Sequence, residues 1–436
     1  MGNWYHYRTV EAAELKQRPE GEKVRLLGWI ASKREHGGKI FLTLRDRSGY
    51  VQVVADKSLC DPAVFEQVSD ISKESSVAVE GLVSQDPRAP RGAEVHVTDV
   101  AVVAKSEPWP ITLSALKSPG FLYDMRHLTV RGTKTRATMK IRSELLNGAH
   151  RFFEENGYVW IQTPTFITSA SEGGATLFQV EYFGDKAYLA QSAQLYEEAA
   201  ICAFEKVYVI QPSFRSEKSR TRKHLTEFWH IEAEVAFATH DDIMEIEESL
   251  VHTMISAVTE NCQGELSELQ ATRVESPELP FPRIPYDEAL GIIEKKGFKI
   301  EWGDDFGARE EKAVSEEFEE PFFVTKYPVS ARPFYQMPDP QDARLTLSSD
   351  MFAPRGYGEI TSGGQRIHEY DLLVKRLKEE GLDPKDYQWY VELRRFGMPP
   401  HSGFGLGLER TVRWILGLSH IRGAAMFPRT PDRIYP

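Results

Sequence analysis

The sequence predicts an α+β protein in two unequal parts: a small closed β-barrel, then a larger domain whose mostly antiparallel sheet is flanked by helices. Three observations carry this reading. Between Lys23 and Ala104, five strand-like runs are separated mainly by turn signals. A Pro- and Ser-rich stretch, SEPWPITLSALKSPG, then interrupts all periodicity. From residue 136 long helical runs alternate with groups of strands, in no regular βαβ succession. The expected boundaries are a barrel over 1–106, a linker over 107–135 and the large domain over 136–436.

The barrel strands are KVRLLGWIAS, KIFLTLRD, YVQVVAD, SSVAVEGLV and AEVHVTDVAVVA, broken by HGG, DRSG and DPRAPRG. Five strands of this length suit the OB architecture, with DPAVFEQVSDISKES as the helix between strands three and four. In the large domain Met139, Ile141, Leu145, Leu146, Ala149, Phe152 and Phe153 recur at helical spacing until Asn156-Gly157 stops them. YVWIQTP, KAYLAQS, KVYVIQPSFR and FWHIEAEVAFA read as strands, DDIMEIEESLVHTMISAVTENC as a helix, and GDDFGAREEKAVSEEFEE as an acidic stretch. PFFVTKYP, LTLSSDMFA and YGEITSGGQR read as further strands. Two helices around EEGLDP follow, then a Gly-rich strand entering a helix at HSGFGLGLERTVRWILGL.

Composition narrows the function. The 436 residues hold 53 Lys+Arg against 65 Asp+Glu, net −12, which excludes a surface that binds polyanions everywhere. Residues 1–107 are net −1 and the rest net −11, and Lys23 to Arg47 holds a local +5, so any nucleic-acid site must be local and the first segment is the less repulsive one for a polyanion. With 41% hydrophobic and 27% charged residues the chain reads as an ordinary globular protein. Cys60, Cys202 and Cys262 form no CxxC, so neither a disulfide framework nor a thiolate zinc site is expected, and a reducing cytoplasm is. The N-terminus lacks an apolar signal core, and His6 stands where a myristoylation motif wants Ser or Thr. No run approaches the ~18 apolar residues of a membrane span.

Three elements of the large domain carry chemistry. PSFRSEKSRTRKHLTEFWHIEAE crowds Arg215, Lys218, Arg220, Arg222, Lys223 and His224 into one loop, and Arg forks match phosphate oxygens bidentately. A solvated turn is the plainer reading of such a loop taken alone. In HSGFGLGLERTVRW, Gly403, Gly405 and Gly407 share one strand face, allowing a ligand or a backbone to approach closely, with Arg410 in the first helical turn beyond. In SSDMFAPRGYGEITSGGQRIH, Asp350 and Glu359 lie on neighbouring strands, where two carboxylates facing phosphates would hold Mg²⁺. Neither GxGxxG nor GxxxxGK[ST] spacing occurs, so no dinucleotide site or P-loop is expected.

At these elements the sequence resembles the class II aminoacyl-tRNA synthetases. RFFEENGYVWIQTPTF, ending near Pro164, looks like their first motif at a dimer interface; FRSE, Phe214 to Glu217, looks like the second; GFGLGLER, Gly403 to Arg410, looks like the third. The N-terminal barrel places the chain in the aspartyl, asparaginyl and lysyl subgroup, and its compact length looks archaeal-like or like the shorter bacterial asparaginyl enzymes. The resemblance implies ATP-dependent ligation of an amino acid to tRNA through an adenylate, with Mg²⁺, in a cytoplasmic homodimer. It implies that Arg215 contacts the α-phosphate, that Glu217 and His224 bind ATP, and that Phe228 and Arg410 sandwich the adenine, with Arg410 reaching the γ-phosphate. Asp350 and Glu359 are implied as the metal ligands, and Arg215, Arg410 and Glu359 as the catalytic set. The amino acid is implied to meet Glu172, Ser192, Gln194, Glu197 and Glu232, with its side chain read by Arg366. In the barrel the resemblance implies that Phe41 stacks on the middle anticodon base and Gln52 reads its edge, with Arg34 and Glu94 nearby.

The amino acid itself is read from QSAQLYEEAA. Aspartyl enzymes resemble QSPQL[FY]KQ there, with a Lys for the substrate carboxylate; Glu197 stands at that position, so an aspartate would meet like charge and an asparagine would not. HLTEFWHIEAE and FPRTPDRIYP also resemble the asparaginyl branch, whereas ITSGGQR and FGMPPH look more like archaeal aspartyl enzymes. The expected reaction is therefore ligation of asparagine to tRNA(Asn). An aspartyl enzyme, one serving both tRNAs included, is the nearest alternative. An ATP-dependent asparagine synthetase and a non-catalytic tRNA-binding module stand further off.

Overall fold

Period-two alternation builds the first unit of the chain. The computed structural model describes residues 4–89, 92–112, 114–171, 177–219, 221–271 and 273–436, and the chain divides into two compact units, 1–121 and 122–436. In the first, β1 (Lys23–His36), β2 (Lys39–Arg45), β3 (Tyr50–Asp56), β4 (Ser76–Ser84) and β5 (Glu94–Ala104) close into a barrel in the order β1-β2-β3-β5-β4, with α1 (Pro62–Asp70) between β3 and β4 in sequence. Ile40, Leu42 and Leu44 of β2 fill the barrel, while Phe41 and Thr43 between them face outward and stay half-buried. Asp61 caps α1 by accepting from the Ala63 N–H at 2.8 Å, with Pro62 next in line. Strand β1 runs four residues beyond the expected KVRLLGWIAS. It pairs with β2 as far as His36 with Lys39, across a turn in which Gly37 and Gly38 take φ of +57° and +75°.

The basic run of β1 and β2 is mostly neutralised. Arg45 is buried and forks onto Glu74 at 2.9 and 2.7 Å, Lys39 meets Asp56 at 2.8 Å, Lys33 meets Glu35 at 3.1 Å, and Arg47 and Lys23 pair with Glu11 and Glu80. The local +5 of the sequence is thus no open patch. Arg34 remains exposed among these cations.

The short α2 (Pro119–Asp124) spans the division, and in the second unit α3 (Arg126–Thr129) precedes α4 (Thr133–Glu155), which buries Ala137, Ile141, Leu145, Ala149 and Phe152 on one face and ends where Gly157 takes φ +77°. β6 (Val159–Trp160), β7 (Phe166–Ile167), β8 (Gln179–Tyr182) and β9 (Asp185–Leu189) lead to α5 (Gln194–Phe204) and the hairpin of β10 (Lys206–Phe214) with β11 (Glu227–Ala236). There follow α6 (His240–Asn261), α7 (Gln263–Leu269), β12 (Arg283–Pro285), α8 (Tyr286–Lys295), α9 (Ala308–Ser315), β13 (Phe322–Thr325), β14 (Ser348–Ala353) and β15 (Gly358–Arg366). Then α10 (Tyr370–Glu379), α11 (Gln388–Glu392), β16 (His401–Gly407) and α12 (Leu408–Ile415) complete the unit. Among the described residues the main sheet has the order β12-β13-β14-β15-β16-β11-β10-β6, parallel only at β6/β10 and β12/β13.

One face of this sheet packs on α4 and α6. Ile231, Ala233, Phe404 and Leu406 meet Ile141, Leu145, Leu250 and Met254 there, each fully buried large side chain contributing about 1.5–3 kcal/mol. Two expectations need correction. YVWIQTP contributes only Val159 and Trp160 to the sheet, since Pro164 has no N–H to continue a ladder, and KAYLAQS joins a separate sheet, β7-β9-β8. The acidic stretch contains a helix, α9, because Ala313 and Val314 supply a buried stripe within it.

Candidate active site

The other face of the sheet carries the chemistry, and alternation along β11 shows how. Ile231, Ala233 and Val235 point into the core, so Phe228, His230, Glu232 and Glu234 point to the opposite side. Around them opens a cleft of about 960 Å³. It is lined by Ser192, Gln194, Arg215, Glu217, His224, Phe228, Glu232, Glu359, Arg366 and Arg410 of the expected residues, and by Lys223 and His230 besides. Neither Glu197 nor Asp350 lines it, and Glu172 lies outside the described residues.

One half of the cleft is cationic. Arg215 follows the last residue of β10, its N–H donates to the Thr226 carbonyl at 3.0 Å, closing the hairpin loop, and its guanidinium lies 5.5 Å from the Phe228 ring centre. Arg410, in the first turn of α12, donates to Glu359 at 2.7 Å. Burial opposes ionisation of Glu359, but Arg410, Lys223 and Arg215 outweigh it and draw the carboxyl down to about 2. Burial, then Arg410, Lys223 and Arg215, push His224 down to about 3, and burial with Arg215 and Arg410 holds His230 well below its ordinary value, so both imidazoles are neutral at pH 7. His224 is fixed by Ser219 at 3.0 Å and Thr221 at 2.5 Å, and His230 by Ser213 at 3.0 Å.

The other half is acidic and pre-arranged. Glu232 accepts from the Ser192 hydroxyl and, at 2.9 Å, from the Ala193 N–H. Arg366 donates to Glu234 through Nε at 3.0 Å and a terminal nitrogen at 2.7 Å. Gly403 is explained here by Glu234 and not by a ligand: a Cβ at that position would overlap the Glu234 carboxylate. Gly405 opposite Glu232 has no such neighbour, a Cβ there meeting only ordinary contacts at 3.5 Å or more.

Glu197 departs from its expected role as a charge facing the substrate. It is 1% exposed on α5, and neither carboxylate oxygen has a hydrogen-bond partner among the described residues. Burial first, then the fields of Glu232 and Glu234, pushes its carboxyl well above the ordinary range, so it is a neutral acid behind the cleft. Its neighbour Glu198 goes the other way. It receives Arg394, Gln194 at 3.0 Å, Tyr390 at 2.8 Å and His401 at 3.0 Å, and these partners hold it ionised despite complete burial. Glu198→Ala strands Arg394 without its countercharge, with an expected cost of about 3–5 kcal/mol. Urea denaturation at pH 7 measures it.

Asp350 and Glu359 lie on β14 and β15, across the bulge at Met351/Phe352. Asp350 accepts from Arg332 at 2.6 Å, and its buried Oδ1 makes no hydrogen bond of good geometry among the described residues. Burial, with the fields of Glu359 and Asp305, keeps it at about 6 in spite of Arg332. Two carboxylates, one lining the cleft and one with a spare buried oxygen, suit a hard cation that takes its remaining ligands from phosphates. Among the described residues no group of three or more His, Cys, Asp or Glu forms a metal cage.

In the barrel the four expected residues meet on one outer face. Arg34 stands opposite Phe41 across β1/β2, 5.9 Å from its ring centre. Gln52 donates to Glu94 at 2.6 Å, and Glu94 also meets His96 at 2.9 Å. Phe41 is therefore no core residue.

Lys223, His230 and Glu234 went unassigned in the sequence. The alternation 228, 230, 232, 234 carried the signal for the last two, since an expected adenine stack at Phe228 and an amino-acid acceptor at Glu232 already fixed which face of β11 is functional. Lys223 was visible only as one of six crowded cations.

Comparison with known proteins agrees with this geometry. The family tRNA synthetases class II (D, K and N) matches residues 118–431, and the OB-fold nucleic acid binding domain matches residues 24–103. The asparagine--tRNA ligase of Thermococcus gammatolerans is 50% identical over 429 residues, 98% of this chain and 99% of that protein. The crystal structure of asparaginyl-tRNA synthetase from Pyrococcus horikoshii complexed with asparaginyl-adenylate superposes with a TM-score of 0.94 at 50% identity, covering 98% of this chain and 99% of that one. A putative aspartyl-tRNA synthetase from Leishmania major superposes with a TM-score of 0.87 at 29% identity, covering 100% of this chain and 97% of that one. With both family models matched and relatives 50% identical over 98% of its length, the chain belongs to the class II tRNA synthetases of the D, K and N group.

Proposed function

We propose that the chain joins L-asparagine to tRNA(Asn) in two steps: asparagine attacks ATP to give asparaginyl-adenylate and pyrophosphate, and a terminal tRNA hydroxyl then displaces AMP. The observation that carries this reading is the division of one cleft into a cationic half around Phe228 and an acidic half around Arg366. Phe228 and Arg410 take the adenine between them, Glu217 and His224 hold the nucleotide, and Arg215 neutralises the α-phosphate and the incoming carboxylate. His224, being neutral, binds without adding charge. Glu232 and Gln194, with Ser192 and Glu172, receive the ammonium and the amide. No side chain acts as nucleophile; positioning and electrostatics supply the catalysis.

Selection of the amide follows from charge already spent. Arg366 is forked onto Glu234, and the acidic half holds no second free cation among the described residues lining it, so an aspartate carboxylate would enter a negative field unpaired. An amide enters without that cost. Mg²⁺, held by Asp350 and Glu359, would neutralise phosphate charge on ATP. The exposed apolar strip of Trp160, Trp229, Met426 and Phe427 beside α4 suits a homodimer contact, and residues 1–106 and 136–436 serve as anticodon-binding and catalytic domains joined through 107–135. Among the described residues no helix is long and apolar enough to cross a membrane, and Cys60, Cys202 and Cys262 are free, which suits the cytoplasm.

Amino-acid-dependent ATP–pyrophosphate exchange with asparagine, aspartate and lysine tests the reading. Exchange with asparagine alone is expected; exchange with aspartate overturns it. Phe41→Ala tests the barrel separately: stacking of one base is worth about 1–3 kcal/mol, so charging of tRNA falls about 5- to 150-fold in kcat/KM while exchange is unchanged. Equal losses in both assays would place Phe41 in the fold and not at the anticodon.

A further inference from the structure

Beside the cleft lies a second basin of about 1020 Å³, whose wall includes Arg222, Lys223, Glu311, Lys312, Arg355 and Arg413. Lys223 belongs to both walls, and its buried ion pair with Glu311 forms the partition between them. Gly358, next to Glu359 of the cleft, lines the basin as well.

Five cations against one carboxylate on this wall are notable in a chain of net −12. At the rim Lys312 meets Glu316 at 3.4 Å and Arg355 meets Glu319 at 2.7 Å. Arg222, which is exposed, and Arg413, which is half-buried, have no ion-pair partner among the described residues. Arg413 lies 4.9 Å from the Tyr357 ring centre and donates through one terminal nitrogen to the Tyr357 carbonyl at 3.3 Å, while its buried Nε has no hydrogen bond among the described residues. The crowding acts on titration: after burial, Arg410 and Arg222 lower the Arg413 guanidinium, and burial followed by Arg422, Arg222 and Arg413 pushes His420 down to about 4. Positive charge held together without countercharge is relieved by an anion, and Arg forks match phosphate oxygens. The proposed reaction makes one such anion at every turnover, on the far side of Arg215 from the amino acid's acceptors.

We propose that this basin receives inorganic pyrophosphate as it leaves the ATP cleft past Lys223, and delivers it in the reverse direction. The inference rests on the reading of the cleft as the ATP site. It gives the leaving group a path that does not cross the bound adenylate, and a place where its charge is met outside the reaction centre.

The test varies pyrophosphate in asparagine-dependent exchange, with ATP and asparagine saturating. The double variant Lys312→Gln/Arg355→Gln changes two exposed side chains that do not line the cleft. It is expected to raise the KM for pyrophosphate about five-fold while leaving the KM values for ATP and asparagine unchanged. The difference shrinks as salt is raised. Calorimetry with inorganic pyrophosphate alone shows the same weakening, and Arg413→Gln, which alters the deeper wall, repeats it. An unchanged pyrophosphate KM in the double variant overturns the inference and leaves the ATP reading standing. A variant that instead raises only the KM for tRNA assigns the basin to RNA and overturns it too. Absence of any exchange in the unaltered protein overturns the ATP reading itself.

Discussion

Arg215→Ala lowers asparagine-dependent pyrophosphate exchange by about 10³-fold, the loss expected when a pre-organised charge is removed from a developing transition state. The loss falls on kcat more than on the KM for ATP. Charge gathers between the attacking carboxylate and the α-phosphate only as the bond forms, so an interaction made there is stronger in the transition state than in the ground state. Arg410 cannot substitute, because its guanidinium is committed to Glu359 at 2.7 Å and follows that strand. Nor does Arg215→Lys restore the rate. A point charge on a flexible stem does not reproduce a planar fork seated against Phe228. Single-turnover formation of adenylate measures the effect without product release, and thermal unfolding separates it from loss of structure. A fall of less than about ten-fold with the fold intact would move the main charge stabilisation to Lys223 or the metal.

Much of this site was legible in the sequence because its residues lie within a few positions of one another on strands or at strand ends. Arg215 and Glu217 directly follow β10, Phe228 and Glu232 share β11, and Gly403 to Arg410 runs from β16 straight into α12, and along the strands period-two alternation converts spacing into facing. The barrel was legible for the same reason, down to strand ends within a few residues. What stayed hidden depends on partners distant along the chain. Lys223 and Glu311 are 88 residues apart, and Glu198 and Arg394 are 196 apart, so no local pattern marks either pair. The +5 run of the barrel shows the converse failure: counting charge along the chain could not reveal that Glu74, Glu11 and Glu80 arrive from elsewhere to neutralise it. Glu197 fails in a third way. Its position beside the amino-acid site was legible, but its protonation state was not, since burial decides that.

The protonation of Glu197 makes its two substitutions diverge. Glu197→Gln replaces a neutral acid by a neutral amide of the same shape, so asparagine exchange at pH 7 is expected to stay within about two-fold. Its effect appears in stability. A carboxyl whose folded pKa is raised binds its proton more tightly when folded, so the native state loses stability as pH rises from the unfolded value, near 4.5, through the folded one. Removing the group removes that loss, and the variant gains on the parent protein as pH increases, with no difference well below pH 4.5. Denaturant midpoints across this range check the sign; a variant less stable at high pH would show Glu197 to be ionised and paired. Glu197→Lys has the larger effect. A cation behind the acidic half competes for Glu234 and frees the Arg366 fork, which then offers an aspartate carboxylate the partner it lacks in the parent. Breaking and remaking a buried charge pair is worth several kcal/mol, so the ratio of kcat/KM for asparagine over aspartate falls about 10²-fold in exchange. An unaltered ratio would mean that selection rests on Glu232 and the shape of the cleft alone, with the charge on α5 irrelevant to it.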